Sequence, residues 1–186
     1  ALSMLREHNL MPYAGGTDIM TEEHPRGDYL FLNRVAEMKR VYKEGDDLHM
    51  GAACTFTQLL EHELTPPILR DALALIAGPA LRNEGTIGGN TPNGSPKAHT
   101  ALIFFAADSR LKLANADKER ILPIKDFYLG RKKLDIQPDE LVVEVIMPCR
   151  WLGNYYYHKV GARKSLAISR LSLAGLCAIQ DGRVAH

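Results

Sequence analysis

GTIGGNTPNGSPKAHT (residues 85–100) holds four glycines, two prolines, two asparagines and three threonines, with few apolar side chains. Such a run builds no core, yet 46% of the chain around it is hydrophobic. Consecutive glycines can take positive φ and leave the backbone bare. Successive N–H groups then point into one concavity, a nest suited to an anion. Thr and Asn add side-chain donors beside it. A second stretch of this kind, AGGTD (residues 14–18), lies upstream. A helix starting at Thr17 or Asp18 would add the partial positive charge of its N-terminus. One loop grips one phosphate; two imply a pyrophosphate held between them, as in a dinucleotide. With few cations nearby, N–H and O–H donors must hold it, at about 1.5–3 kcal/mol per charge-assisted bond. Ordinary turns are the alternative reading of both loops. Neither loop is a GxGxxG that opens a helix after a strand, and no GxxxxGK[ST] occurs.

The flanking sequence predicts the elements that carry these loops. Residues 1–9 read as the end of a helix, and MPY before Ala14 as a short strand. DYLFLN is a buried strand. KRVYKEG and DLHMGAAC form a hairpin about Gly45, Asp46 and Asp47. TFTQLLEHEL is a helix capped by Thr55 or Thr57. PPILRDALALIAG is a helix with Pro in its first turn and Gly78 near its end. TALIFFAAD is a short buried helix. SRLKLAN and ERILPI form a hairpin over Asp117, and PIKDFYLG is a helical turn and loop. DELVVEVIMP is a strand ended by proline. YYYHKVGARKS and LAISRLSLAGLCAIQ are two more strands, the second alternating at Ile168, Leu171, Leu173, Leu176 and Ile179. This order predicts an α+β fold rather than a doubly wound sheet, with a boundary in PCRWLGN near residues 149–154.

The 186 residues suffice for one or two compact domains. A net charge of +1 argues against a nucleic-acid surface built on bulk charge. Arg131, Lys132 and Lys133 read as a solvated loop. No apolar run approaches the ~18 residues of a membrane span, and no signal peptide is visible. Cys54, Cys149 and Cys177 lie far apart, without a CxxC. They read as reduced, partly buried thiols of a cytoplasmic protein, with no zinc or iron–sulfur site. The start at Ala1 and the stop just after the turn signal Asp181-Gly182 read as cuts in a longer protein.

YAGGTDIM together with LRNEGTIGGNTPNGSPKAHTAL resembles the FAD-binding domain of the molybdenum hydroxylases, the xanthine, carbon monoxide and nicotinate dehydrogenase group. LPIKDFYLGRKKLDIQPDELVVEVIMP resembles the segment before that family's C-terminal domain, and YYYHKVGARKSLAIS the start of that domain. The resemblance covers nearly the whole chain. It implies a PCMH-type fold of two α+β subdomains over residues 1–149, lacking its N-terminal strand. The start of a small antiparallel-sheet C-terminal domain then follows over residues 150–186. It also implies FAD as cofactor and a separate flavin-carrying subunit. The partners would be a molybdopterin-binding large subunit and a [2Fe–2S] small subunit. Electrons would pass from the clusters to FAD and on to NAD⁺ or another acceptor. A non-redox nucleotide-diphosphate module and a stand-alone flavin oxidoreductase are the alternatives.

Carried over by motif, the resemblance places Met11, Pro12, Tyr13, Ala14, Gly15, Gly16, Thr17, Asp18 and Ile19 on one side of the FAD pyrophosphate. Thr86, Ile87, Gly88, Gly89 and Asn90 approach from the other, and Asn93 adds a polar contact. Ile76 aligns with a position near the isoalloxazine, and Val142 with one whose backbone helps hold the ring. Lys159 matches a basic residue near the flavin, favouring its anionic reduced form, and Ile168 a ring-edge position. Where the family usually has Asp, this chain has His99, which could hydrogen-bond or, if protonated, meet a phosphate. No nucleophile, general base or metal ligand is assigned. His8, His24, His49, His62, His158 and His186 read as surface or packing residues. Asp139 and Glu140 read as solvent-facing, and Tyr155, Tyr156 and Tyr157 as strand residues on both faces.

Overall fold

The computed structural model describes residues 1–8, 10–21, 27–163 and 166–185. His24 and His186 lie outside them. Helix α1 (Leu2–Glu7) leads into β1 (Leu10–Tyr13), which pairs in parallel with β2 (Asp28–Phe31). The loop between β1 and β2 carries the first glycine pair. Thr17 and Asp18 precede only a 3-10 turn (Ile19–Thr21) rather than the expected α-helix.

The centre is a five-stranded antiparallel sheet whose strands lie in the order Val41–Glu44, Asp47–Gly51, Leu141–Pro148, Arg110–Ala114, Glu119–Pro123. Its hairpin β3 (Val41–Glu44) and β4 (Asp47–Gly51) turns at Gly45 with φ 59°, as a two-residue turn between twisted strands requires. Helix α2 (Phe56–Glu61) starts at Thr55 in a full capping box. The Thr55 hydroxyl accepts from Gln58 N at 3.1 Å and Gln58 Oε1 accepts from Thr55 N at 2.9 Å. Helix α3 (Pro67–Ala74) ends four residues before Gly78, earlier than its apolar pattern predicts. Arg82 explains this: its guanidinium donates to the carbonyls of Ile76 (2.9 Å) and Ala77 (3.2 Å), holding a bend with Ala77 at φ 45°. Gly78 caps α4 (Pro79–Glu84), a helix that the sequence reading missed.

The opening stretch forms one helical turn, α5 (Ile87–Asn90), then turns into α6 (His99–Ala106). Next come β5 (Arg110–Ala114) and β6 (Glu119–Pro123), the short α7 (Ile124–Phe127), and a hairpin of β7 (Tyr128–Gly130) and β8 (Lys133–Leu134). Strand β9 (Leu141–Pro148) lies at the centre of the sheet and is ended by its proline. A second antiparallel pair, β10 (Tyr155–Gly161) and β11 (Ser169–Leu176), lies across α3 and α6. The pair β12 (Ile179–Gln180) and β13 (Arg183–Val184) follows. Mixed helices and antiparallel sheets bear out the α+β expectation.

One core joins the sheet to α2, α3 and α6 through Leu48, Met50, Leu59, Leu69, Phe104, Leu111 and Val145. The alternation in β11 runs opposite to the ordinary pattern. Leu171 and Leu173 point outward and are 63% and 56% exposed, while Ser172 and Ala174 face α6. Glu140 also departs from expectation. It is 4% exposed rather than solvent-facing, because the Arg120 guanidinium donates to both of its oxygens at 2.8 Å. That cation holds the Glu140 carboxyl below its ordinary range, against the opposing effect of burial. His49 has a packing role, stacked on Tyr42 with its Nδ1 2.8 Å from Glu144.

Candidate functional site

The two glycine loops meet. A Cβ on Gly15 would lie 1.8 Å from the Glu84 carbonyl oxygen, so only glycine permits this approach to the second loop. Three residues on, the Asn93 amide donates to the Asp18 carboxylate. Ala14 and Thr86 face one polar cleft of about 340 Å³, which also involves Asn33, Lys39, Thr57 and Asn83. These last four escaped the sequence reading, because the ends of β2, α2, α4 and the 3-10 turn Ala36–Lys39 bring them there and no shared motif does.

The loops differ in chemistry, and the expectation of two matching nests needs correction. Of the four glycines, only Gly16 takes positive φ, at 66°. In the second loop the donors are already engaged. Ile87 N donates to Cys54 O at 3.2 Å, Gly88 N to Ala52 O at 2.8 Å and Gly89 N to the Thr86 hydroxyl at 3.0 Å. The cause is local: the turn docks against residues 52–54, and a Cβ on Gly88 would lie 2.5 Å from that of Ala52. In the first loop, no acceptor among the described residues takes the N–H groups of Gly15, Gly16, Thr17, Asp18 or Ile19. This run of free donors suits a phosphate. The second loop therefore packs as a wall against the first.

From this junction a chain of contacts runs to the other predicted residues. The Thr100 hydroxyl donates to Asn90 Oδ1 at 2.5 Å, tying α5 to the start of α6. Next to Thr100, His99 is 8% exposed, with Nδ1 2.9 Å from the Tyr157 hydroxyl and 3.3 Å from that of Ser172. Burial, assisted by the Lys159 charge, lowers the His99 imidazole to about 4. A protonated His99 meeting a phosphate near neutral pH is thereby corrected: the ring is neutral. Burial, with Asp71 adding to it, pushes the Tyr157 hydroxyl up to about 12, so it keeps its proton. Two residues along β10, the Lys159 ammonium donates to the Leu75 carbonyl at 2.8 Å, beside Ile76. Burial lowers its proton affinity. Leu166 lies near this end, its Cδ2 3.1 Å from where a Gly78 Cβ would stand.

Three groups of predicted residues lie off this track. Met11, Pro12 and Tyr13 form β1, where the Tyr13 ring lies under Gly16 and against Tyr29 and Phe31. Val142 is buried in the core at a register shift between β9 and β5. Ile168 is 74% exposed just before β11. Among the described residues, no group of His, Cys, Asp or Glu could hold a metal ion. Cys54 is buried, and burial pushes its thiol up to about 11. No described helix is long and apolar enough to cross a membrane.

Residues 1–150 match the model of the FAD binding domain in molybdopterin dehydrogenase. The chain belongs to this family. It is 32% identical over 180 residues to a xanthine dehydrogenase FAD-binding subunit of Escherichia coli O157:H7, covering 91% of this chain and 61% of that protein. It is 29% identical to the nicotinate dehydrogenase FAD-subunit of Eubacterium barkeri, covering 91% and 62%. Reconstituted CO dehydrogenase from Oligotropha carboxidovorans superposes with a TM-score of 0.91 at 25% identity, over 98% of this chain and 67% of that one. The chain thus spans about three-fifths of the length of these curated relatives. FAD is the cofactor of the family, and the residues present fit it: among the described residues the first loop offers unpaired backbone donors suited to a diphosphate, and the contact chain from the second loop leads to a partly buried ammonium, Lys159.

Proposed function

We propose that the chain is the FAD-carrying, electron-transferring part of a molybdenum hydroxylase of the xanthine or nicotinate dehydrogenase kind. The observation that carries this reading is the junction of Gly15 with Glu84, which sets a free donor run against a second loop within a matched FAD-binding family. When bound, FAD supplies two-electron redox chemistry that no side chain has. The protein's part is to bind and orient. N–H groups at residues 15–19 and the Asn93 amide hold the diphosphate, with Thr86 and Asn90 shaping the wall. Ile76 and Lys159 border the ring, with His99 behind them. Lys159 attracts negative charge there by ~1–4 kcal/mol, set by exposure.

In this reading, iron–sulfur clusters of a partner subunit deliver electrons taken from substrate at a molybdopterin-binding subunit, and NAD⁺ or another acceptor removes them. The protein works in the cytoplasm. Residues 1–149 are the FAD-binding unit and residues 150–186 begin a C-terminal domain. The family match ending at residue 150 supports this division. A test is the absorbance of the purified protein, followed by release of its chromophore on denaturation. A flavin spectrum with FAD released is expected; a colourless protein that takes up no added FAD refutes the reading.

A further inference from the structure

The group of side chains around Lys159 and His99, where the proposed function puts the flavin ring, has an unusual charge balance. Lys159 is partly buried and points to a carbonyl, Leu75 O, at 2.8 Å. Among the described residues it makes no salt bridge. The nearby carboxylate of Asp71 is occupied instead by the Tyr155 hydroxyl, at 2.8 Å. The polar group beside Lys159 is His99, whose Nδ1 faces two hydroxyls and no carboxylate. An imidazolium there would sit 8% exposed next to an ammonium with no counter-ion, which low-dielectric surroundings oppose.

We infer that His99 is a positioning residue: clamped by Tyr157 and Ser172, it fills the place beside Lys159 with an uncharged group. The Lys159 charge is thereby left uncompensated to select the anionic, reduced state of a flavin ring. This rests on the functional reading above and adds the residue that keeps the Lys159 charge uncompensated. A cation facing a ring that gains negative charge on reduction binds the reduced form more tightly. A carboxylate at residue 99 would cancel that difference, whereas a neutral amide would not.

The test compares His99→Asp with His99→Asn in the FAD-loaded protein, reading the flavin midpoint potential. His99→Asp should lose about tenfold in preference for reduced over oxidised FAD relative to His99→Asn. For a two-electron couple that is about 30 mV. Lys159→Met should move the potential in the same direction. A second readout needs no flavin: NMR titration of the Lys159 side chain should show its proton held to higher pH in His99→Asp than in His99→Asn. A merely structural role for His99 would move the potential equally in both variants, and that result overturns the inference. So does a Lys159→Met protein with the wild-type potential, while FAD binding itself stands. A wild-type protein that takes no FAD overturns the functional reading as well.

Discussion

Single residues decide whether the two loops can meet. If the glycines were bare for the ligand's sake, adding a methyl at Gly15 would weaken FAD binding and leave stability alone. The geometry says otherwise, because a Gly15 Cβ would clash with the Glu84 carbonyl and a Gly88 Cβ with Ala52. Gly15→Ala and Gly88→Ala should each cost about 1–3 kcal/mol in urea denaturation of the flavin-free protein, the usual range for overpacking. Gly89→Ala, whose Cβ would meet only the Thr86 hydroxyl at 3.1 Å, should cost less. Equal losses at all three positions would contradict the close-approach account.

His99 gives a residue-scale prediction in pH. Its imidazole falls from 6.5 to about 4 on folding. Between these values the unfolded chain binds a proton that the folded chain does not, so stability rises with pH. The contribution is full above about pH 6.5 and is lost as the pH falls toward 4. At about 1.4 kcal/mol per tenfold, the loss is about 3–4 kcal/mol at most. The pH dependence of wild-type stability, minus that of His99→Asn, should show this slope in that window and be flat above it. A difference that is flat from pH 4 to 7 would show that the folded ring titrates normally.

At the scale of elements, the sequence reading succeeded where side-chain period and capping chemistry agree. Thr55 with Gln58, the Gly45 turn and the β-branched run of β9 each named their element. It failed where a distant contact decides. The early end of α3 depends on Arg82, eight residues beyond Ala74, reaching back to two carbonyls. The donors of the second glycine loop are taken by residues 52–54, more than thirty positions earlier. For the cleft, the two glycine loops that meet there were legible from motif, whereas Asn33, Lys39 and Asn83 came together only through topology. In β11 the alternation was visible, but not which face is outward. The small Ser172 and Ala174 face inward because α6 and His99 lie close beneath them. Replacing Leu171 and Leu173 by Ser should therefore change stability by no more than about 0.5 kcal/mol each. Leu176→Ala, on the inner face against the core, should cost about 1–2 kcal/mol, below the range of a fully buried leucine. The opposite ranking in thermal denaturation would mean that the outer leucines are covered.

At the scale of the whole molecule, the cleft lies between two loops anchored on different sheets of one core. The first loop hangs from the two-stranded β1–β2 sheet, while the second is anchored on the central sheet and α6. Among the described residues, one polar side-chain contact, Asn93 to Asp18, links the loops besides the close approach at Gly15. A ligand reaching both adds its binding energy to the folded state alone. At 100 times its dissociation constant this amounts to about 2.7 kcal/mol. For a chain of this size that raises the melting temperature by about 5–10 °C. The gain depends on a diphosphate long enough to lie along both loops. FMN, with its single phosphate, should give a clearly smaller rise at equal concentration. Asn93→Ala should reduce the FAD response more than the FMN response, because it removes a donor from the second loop's side only. Equal stabilisation by FAD and FMN, unchanged in Asn93→Ala, would mean that one loop does all the binding and that the junction serves packing alone.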